Sequence, residues 1–267
     1  MTPRTLLQRS ATSLALASVL ALGACNRPAA PGAAQASTDA PDPDYRQPPK
    51  LAGFVKAADG AVSLSGLASL SSPVSLTSLA GVQVPTTADG SGAWTAPLGP
   101  VSEPAFYSLA EEASGRRVEA EGQIAVLPTS PTVVLLRAGD GAEVLQERPT
   151  AGVSILAVDY DGGGGTVVSG VAPAGAAVRV SVDGQPVIDG AAKPDGRFSL
   201  ILPKPLEPGL HHLRAQTAKG AAEAAVPITP PVPPKDRPYQ ASSAPFGWRI
   251  DWITAGGGAQ TTLLLGG

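Results

Sequence analysis

Few side chains in this chain have the chemistry to act on anything, and their spacing removes most of them in turn. The histidines are His211 and His212. Neighbours on an extended strand point to opposite faces, so the pair cannot chelate one metal, and the lone cysteine, Cys25, adds no soft ligand once its thiol is modified as read below. Asp159-Tyr160-Asp161-Gly162 has the opening of a calcium loop, whose ligands recur at alternate positions and end in a bidentate Glu at position 12. Here position 5 is Gly163 and position 12 is Gly170, so the match fails and the stretch reads as a glycine-rich connection between modules. Glu111 and Glu112 could be a general acid and base, but as a pair in a loop they read as solvated charges. No Gly-x-Ser-x-Gly, His-Glu-x-x-His, Gly-x-x-x-x-Gly-Lys or Gly-x-Gly-x-x-Gly pattern occurs, and no catalytic, metal or cofactor site is expected. What remains is Trp248 and Trp252. With Ile250 they alternate along one strand and share a face, either to pack on a neighbouring sandwich or to stack on a sugar or dock a partner.

Cys25 gains its meaning from what precedes it. Arg4 and Arg9 lie in an otherwise acid-free start, and Ser10 to Leu22 is an uncharged run dominated by Ala, Leu and Val. That is the form of a secretory signal, too short and interrupted for a permanent span. Leu22-Gly23-Ala24-Cys25 then resembles the lipobox of bacterial lipoproteins. The resemblance implies a signal peptide over 1–24, cleavage between Ala24 and Cys25, and acyl chains on Cys25 that hold the protein on a membrane. One acyl chain anchors only marginally, at about 0.8 kcal/mol per buried methylene, whereas two or three hold firmly. Asn26 rather than Asp after the cysteine resembles an outer-membrane address.

Composition constrains the partner. The chain has 19 Lys and Arg against 22 Asp and Glu, a formal charge of -3. Without Arg4 and Arg9 there remain 17 basic side chains against 22 acidic, which argues against a nucleic-acid partner. Residues 25–50 hold six prolines and almost no large apolar side chain, the composition of a disordered tether. Beyond it, 31 glycines and 28 prolines over the whole chain, with 15% charged residues, predict an all-β fold of short strands joined by turns.

The elements that would position any site recur. At an offset of 104 residues, Ser65-Gly66 returns as Ser169-Gly170, Val74 as Val178, Gly92 as Gly196, Trp94 as Phe198, Leu109 as Leu213 and Ile124 as Ile228, without a gap. The second copy predicts strands at 166–171, 177–182, 197–202 and 210–217, between turns at Ala172-Pro173-Ala174-Gly175, Asp183-Gly184 and Pro194-Asp195-Gly196. These motifs resemble bacterial immunoglobulin-like modules of surface proteins. Copy one departs from them, with Leu79-Ala80 in place of Asp183-Gly184. After each module comes a glycine-centred hairpin, Val134 to Leu145 and Ile250 to Leu264. The expected order is module 1 over 51–128, a connecting hairpin over 129–157, module 2 over 158–228, a proline-rich linker over 229–245 and a final hairpin over 246–267. Val158 to Ile228 should then fold alone.

Taken together, the sequence leads to a non-enzymatic, lipid-anchored envelope protein that serves as a scaffold or interaction module. A glycan- or peptidoglycan-binding role through Trp248 and Trp252 is the alternative, and a periplasmic enzyme a remote one.

Overall fold

A computed structural model describes residues 46–128, 132–145 and 152–266. Ala24, Cys25, the signal peptide and the tether up to residue 45 lie outside the described residues. Among the described residues every regular element is a strand, so the expected all-β class holds. In chain order these are β1 Lys50–Lys56, β2 Ala61–Leu67, β3 Pro73–Ser78, β4 Gln83–Thr87, β5 Ala93–Pro100, β6 Ala105–Ala113, β7 Arg116–Glu119, β8 Gln123–Leu127, β9 Thr132–Leu136 and β10 Glu143–Leu145. The second half contributes β11 Ser154–Asp161, β12 Thr166–Val171, β13 Ala177–Val182, β14 Gln185–Ala191, β15 Arg197–Ile201, β16 Gly209–Thr217, β17 Gly220–Ile228, β18 Tyr239–Ala244, β19 Gly247–Ile253 and β20 Ala259–Leu265.

These strands form four sheets: β1-β2-β5, then β10-β9-β8-β6-β3-β4 with β7 also on β6, then β15-β12-β11-β20-β19-β18, and last β14-β13-β16-β17. Three cores separate them. Leu64, Leu76, Trp94 and Leu109 fill the first sandwich, and Val158, Val180, Phe198 and Leu213 the second. The third core lies between the two sandwiches, where Val134, Leu136 and Leu127 meet Leu156, Ile250, Trp252 and Leu264. The result is a stack of four sheets. Strands of its two middle layers are buried on both faces: on β9, Val133 enters the first core and Val134 the middle one, and on β20, Leu263 and Leu264 divide in the same way. Uninterrupted apolar runs such as Thr-Val-Val-Leu-Leu are the sequence form of a strand without a wet face.

The repeat is real at the level of single hydrogen bonds. β1 against β2 and β11 against β12 carry the same irregularity, between Leu51 and Gly53 and between Ile155 and Ala157. Gly66 pairs with Trp94 as Gly170 pairs with Phe198. A methyl group on Gly66 would sit 1.9 Å from the Lys50 carbonyl oxygen and 2.6 Å from the Trp94 ring; on Gly170 it would sit 2.1 Å from the Ser154 carbonyl oxygen and 2.6 Å from the Phe198 ring. The recurring Ser-Gly is therefore a floor on which the core aromatic lies.

Where the copies differ, local chemistry gives the reason. Asp183-Gly184 is a two-residue turn with φ of 49° and 79°, the mirror-image turn that suits hairpin twist. Copy one lacks those residues and spans Ser78 to Val82 instead, closed by the Val82 N–H donating to Ser78 Oγ at 3.1 Å. At the preceding turn Gly175, with φ of 70°, is replaced by Ser71 with φ of 56°. The buried Glu111 offsets that strain, accepting hydrogen bonds from the Ser69 N–H at 2.6 Å, Ser69 Oγ at 2.8 Å and Ser72 Oγ at 3.0 Å. Glu111 thus lies on β6 as a turn brace, not in a loop, while Glu112 is exposed beside Arg117. The gapless alignment also ends early. Ala110 pairs with Glu119 as Arg214 pairs with Glu223, but Tyr107 then pairs with Ile124 where His211 pairs with Val226. Copy one has two extra residues at Glu121-Gly122, so Ile124 is the structural counterpart of Val226 rather than Ile228.

Beyond those two residues β8 carries the first hairpin. β9 and β10 extend the sheet of β6 and β8, whereas β20 and β19 join the other sheet of their module, on β11. The hairpins therefore widen the two facing middle layers. Module boundaries shift accordingly: β11 starts inside the segment read as a connecting hairpin, and β18 lies inside the segment read as a linker. A fragment from Val158 to Ile228 loses half of β11 together with β18, β19 and β20. It should give no cooperative urea unfolding, against the sequence-based expectation. Gly170→Ala, with no room for its methyl, should lower the unfolding free energy of the full chain by about 2–4 kcal/mol; a urea midpoint equal to wild type would refute the packing argument.

Candidate functional site: the layer between the sandwiches

Trp252 and Asp159, which the sequence presents as unrelated candidates, are joined here. Alternation along β11 turns Val158 and Tyr160 into the second sandwich and leaves Ala157 and Asp159 facing the first. On β19 the same rule places Trp248, Ile250 and Trp252 toward the first sandwich. Trp252 is only 3% exposed, and its indole N–H donates to Thr262 Oγ1 at 3.1 Å. The Thr262 hydroxyl donates to Asp159 Oδ1 at 2.6 Å, and Asp159 Oδ2 accepts the Ala142 N–H at 2.7 Å. Ala142 belongs to the turn between β9 and β10. One hydrogen-bonded chain therefore runs from the last hairpin through module 2 to the hairpin of module 1.

Charged groups close the rim of this layer. Arg137 contacts Asp140 at 3.2 Å and Glu143 at 3.0 Å, and the same Glu143 lies 3.3 Å from Arg197 on β15. Ser199 donates its hydroxyl to the Asp140 carbonyl. At the other margin Phe106, Tyr239 and Trp252 stack in series, with ring centroids 5.3 and 5.9 Å apart. Tyr239 thus stacks on both neighbours, and Trp252 is committed to the middle core. That is a correction to the glycan-stacking alternative: Trp252 offers no open face, and Trp248 is half-buried beside the same core. Packing against a neighbouring sandwich is the use to which the pair is put.

The remaining candidates are occupied by local structure. Asp161 Oδ1 accepts the N–H of Gly163 at 2.8 Å and of Gly165 at 3.0 Å, closing the turn between β11 and β12 inside module 2 rather than a connection between modules. His211 Nδ1 lies 2.7 Å from the Asp183 carboxylate and Nε2 2.7 Å from the Glu207 carbonyl oxygen. Partial burial works against its charged form, but the bonds to Asp183 and Glu207 outweigh it and hold the imidazole above its ordinary pKa. His212 meets Asp183 through its backbone, its N–H donating to the carboxylate at 2.8 Å and its carbonyl accepting the Asp183 N–H at 2.9 Å. Among the described residues no group of three or more His, Cys, Asp or Glu could hold a metal ion, and no helix is long and apolar enough to cross a membrane.

Asp159 is the electrostatically unusual group. Burial pushes its carboxyl up to about 6, opposed by bonds from Thr262, Ala142 and Gln260. An acid whose folded pKa exceeds its unfolded value of 3.8 binds more protons when folded, so its contribution to stability falls as pH rises from about 4 to about 6 and stays lost above. Asp159→Asn should therefore gain stability relative to wild type as pH rises through that window, read from urea midpoints at pH 4, 5, 6 and 7. A pH-independent difference would rule the charge out as the cause. Trp252→Ala should cost about 3–5 kcal/mol in the same measurement through loss of core packing; an unchanged midpoint would return the indole to the surface.

No protein-family model matches this chain, and no curated protein matches it. Among solved structures it is similar to the BSP domain of a biofilm-associated protein, at 16% identity over 70% of this chain with a TM-score of 0.24, and spans 30% of that chain's length. It is also similar to the central fibronectin-III array of RIM-binding protein, at 13% identity over 82% of this chain and 89% of that one, with a TM-score of 0.27. The fold itself is read from the strand ladders: a chain of paired β-sandwiches joined through a third core.

Proposed function

We propose that this chain is a non-enzymatic scaffold or interaction protein of the cell envelope, anchored by acyl chains on Cys25 and sorted to an outer membrane. The anchor reading is supported by Leu22-Gly23-Ala24-Cys25 behind a charged start and an apolar run, and by six prolines between Asn26 and Lys50 that would hold the folded part off the bilayer. Its partner would be another envelope component, a protein or a glycan, met without nucleic acid or cofactor.

One observation carries the non-enzymatic reading. Each deeply buried carboxylate, Glu111 and Asp159, is turned onto backbone and hydroxyl donors that hold strands together, so neither is presented to a cleft as an acid or base. Charge in this fold serves assembly. With Trp252 enclosed, a glycan would have to be bound elsewhere on the surface than at the tryptophan face.

Cys25→Ser tests the anchor. The variant should lose incorporation of labelled palmitate and move from the membrane to the soluble fraction. Retention of both label and membrane association would sink the reading.

A further inference from the structure

The third sheet ends in an edge that the fold leaves open. β18 pairs with β19 on one side and with no described strand on the other. The Ile253 N–H donates to the Pro238 carbonyl at 2.9 Å, which sets the phase of this ladder. In an antiparallel pair the backbone groups of alternate residues face the partner. Those of Gln240, Ser242 and Ala244 therefore face β19, and those of Tyr239, Ala241 and Ser243 face away from it. Edge strands are normally guarded by lysine, proline, a bulge or a covering loop. Tyr-Gln-Ala-Ser-Ser-Ala contains none of the guarding residues, and its register with β19 is regular throughout.

Beside this edge runs a groove of about 810 Å³. Tyr239, Gln240 and Ala241 form one wall and Glu103, Pro104 and Phe106 of module 1 the other, while Val232 and Pro233 of the preceding segment line it too and Lys235, Asp236 and Arg237 stand at the end where β18 begins. The groove is the mouth of the layer between the sandwiches, since Phe106 and Tyr239 belong to the aromatic stack that continues to Trp252. Among the described residues Lys235, Arg237 and Glu103 form no ion pair.

We infer that the outer edge of β18 and this groove form a strand-addition site that takes an extended segment of a partner polypeptide. The segment would become a seventh strand of the third sheet. Added antiparallel, like every other strand pair described here, it would bond to Tyr239, Ala241 and Ser243. Its alternate apolar side chains would lie against Pro104 and Phe106, extending the existing interface between the sandwiches. Its C-terminal end would meet Lys235 and Arg237, two cations against the one carboxylate of Asp236, so an acidic residue or a terminal carboxylate belongs there, and its N-terminal half would carry no such requirement. Backbone pairing supplies the affinity and these pockets the selectivity. This site names the class of partner for the scaffold reading and rests on it.

The test uses the full chain in mild detergent and a fluorescein-labelled peptide, Lys-Thr-Val-Thr-Val-Thr-Val-Glu, followed by fluorescence anisotropy. Ala241→Pro removes an outward N–H and none of the bonds to β19, so the fold should be retained, as a urea midpoint near wild type would confirm. Saturable binding that weakens at least about tenfold in Ala241→Pro, and equally when the peptide's alternate amides are N-methylated, is the expected result. Equal binding to both proteins, or no binding to wild type, would overturn the inference. A concentration-dependent dimer of wild type that Ala241→Pro abolishes would overturn it too, because the edge would then pair with a second copy. Anchoring is tested separately by Cys25→Ser, so failure at the edge would leave the envelope assignment standing.

Discussion

Burial of two sheets on both of their faces is the constraint on which this molecule depends. A sandwich of about 70 residues closes one core and can leave its outer faces wet. Here the inner sheet of each sandwich is apolar on its outer face as well, so the two can be satisfied only by packing on each other. The hairpins make this possible by widening those sheets, one by extending β8 and the other by extending β11.

A dry layer of this kind raises the cost of any polar group within it, and the way Asp159 is handled follows from that. Its carboxylate meets the Thr262 hydroxyl and the Ala142 N–H, one from each side of the layer, so the bond that satisfies the charge also fixes how the sandwiches meet. Trp252 enters the same chain through Thr262, which gives a large side chain a defined orientation in the middle core. Glu111 does comparable work within one module, holding a turn whose Ser71 occupies a backbone region that glycine fills in the other copy.

Tandem repeats suggest beads on a string, with function at the exposed ends. This pair is instead asymmetric, because the same hairpin element docks on opposite sheets of its two modules. The asymmetry accompanies the insertion at Glu121-Gly122, which shifts β8 by two residues relative to its counterpart. It also leaves β18 as an unguarded edge next to the seam, where a bound segment would touch both modules.

Much of this was legible in the residues. Alternation, glycine turns and the 104-residue repeat marked β12, β13, β15 and β16 and matched Gly66 with Gly170 and Trp94 with Phe198, since each is set by local backbone sterics and a period of two. The lipobox resemblance depends on sequence alone and concerns residues outside the described part. Only the tertiary structure decided that the hairpins widen the middle layers, that Asp159 and Trp252 belong to one hydrogen-bonded chain, and that Tyr239 stacks between module 1 and Trp252. Those outcomes depend on which distant edges pair, for example Asp159 with Thr262 across 103 positions. Pairing of distant strands follows from the best joint burial of all faces, a property of the whole chain that no local window of sequence carries.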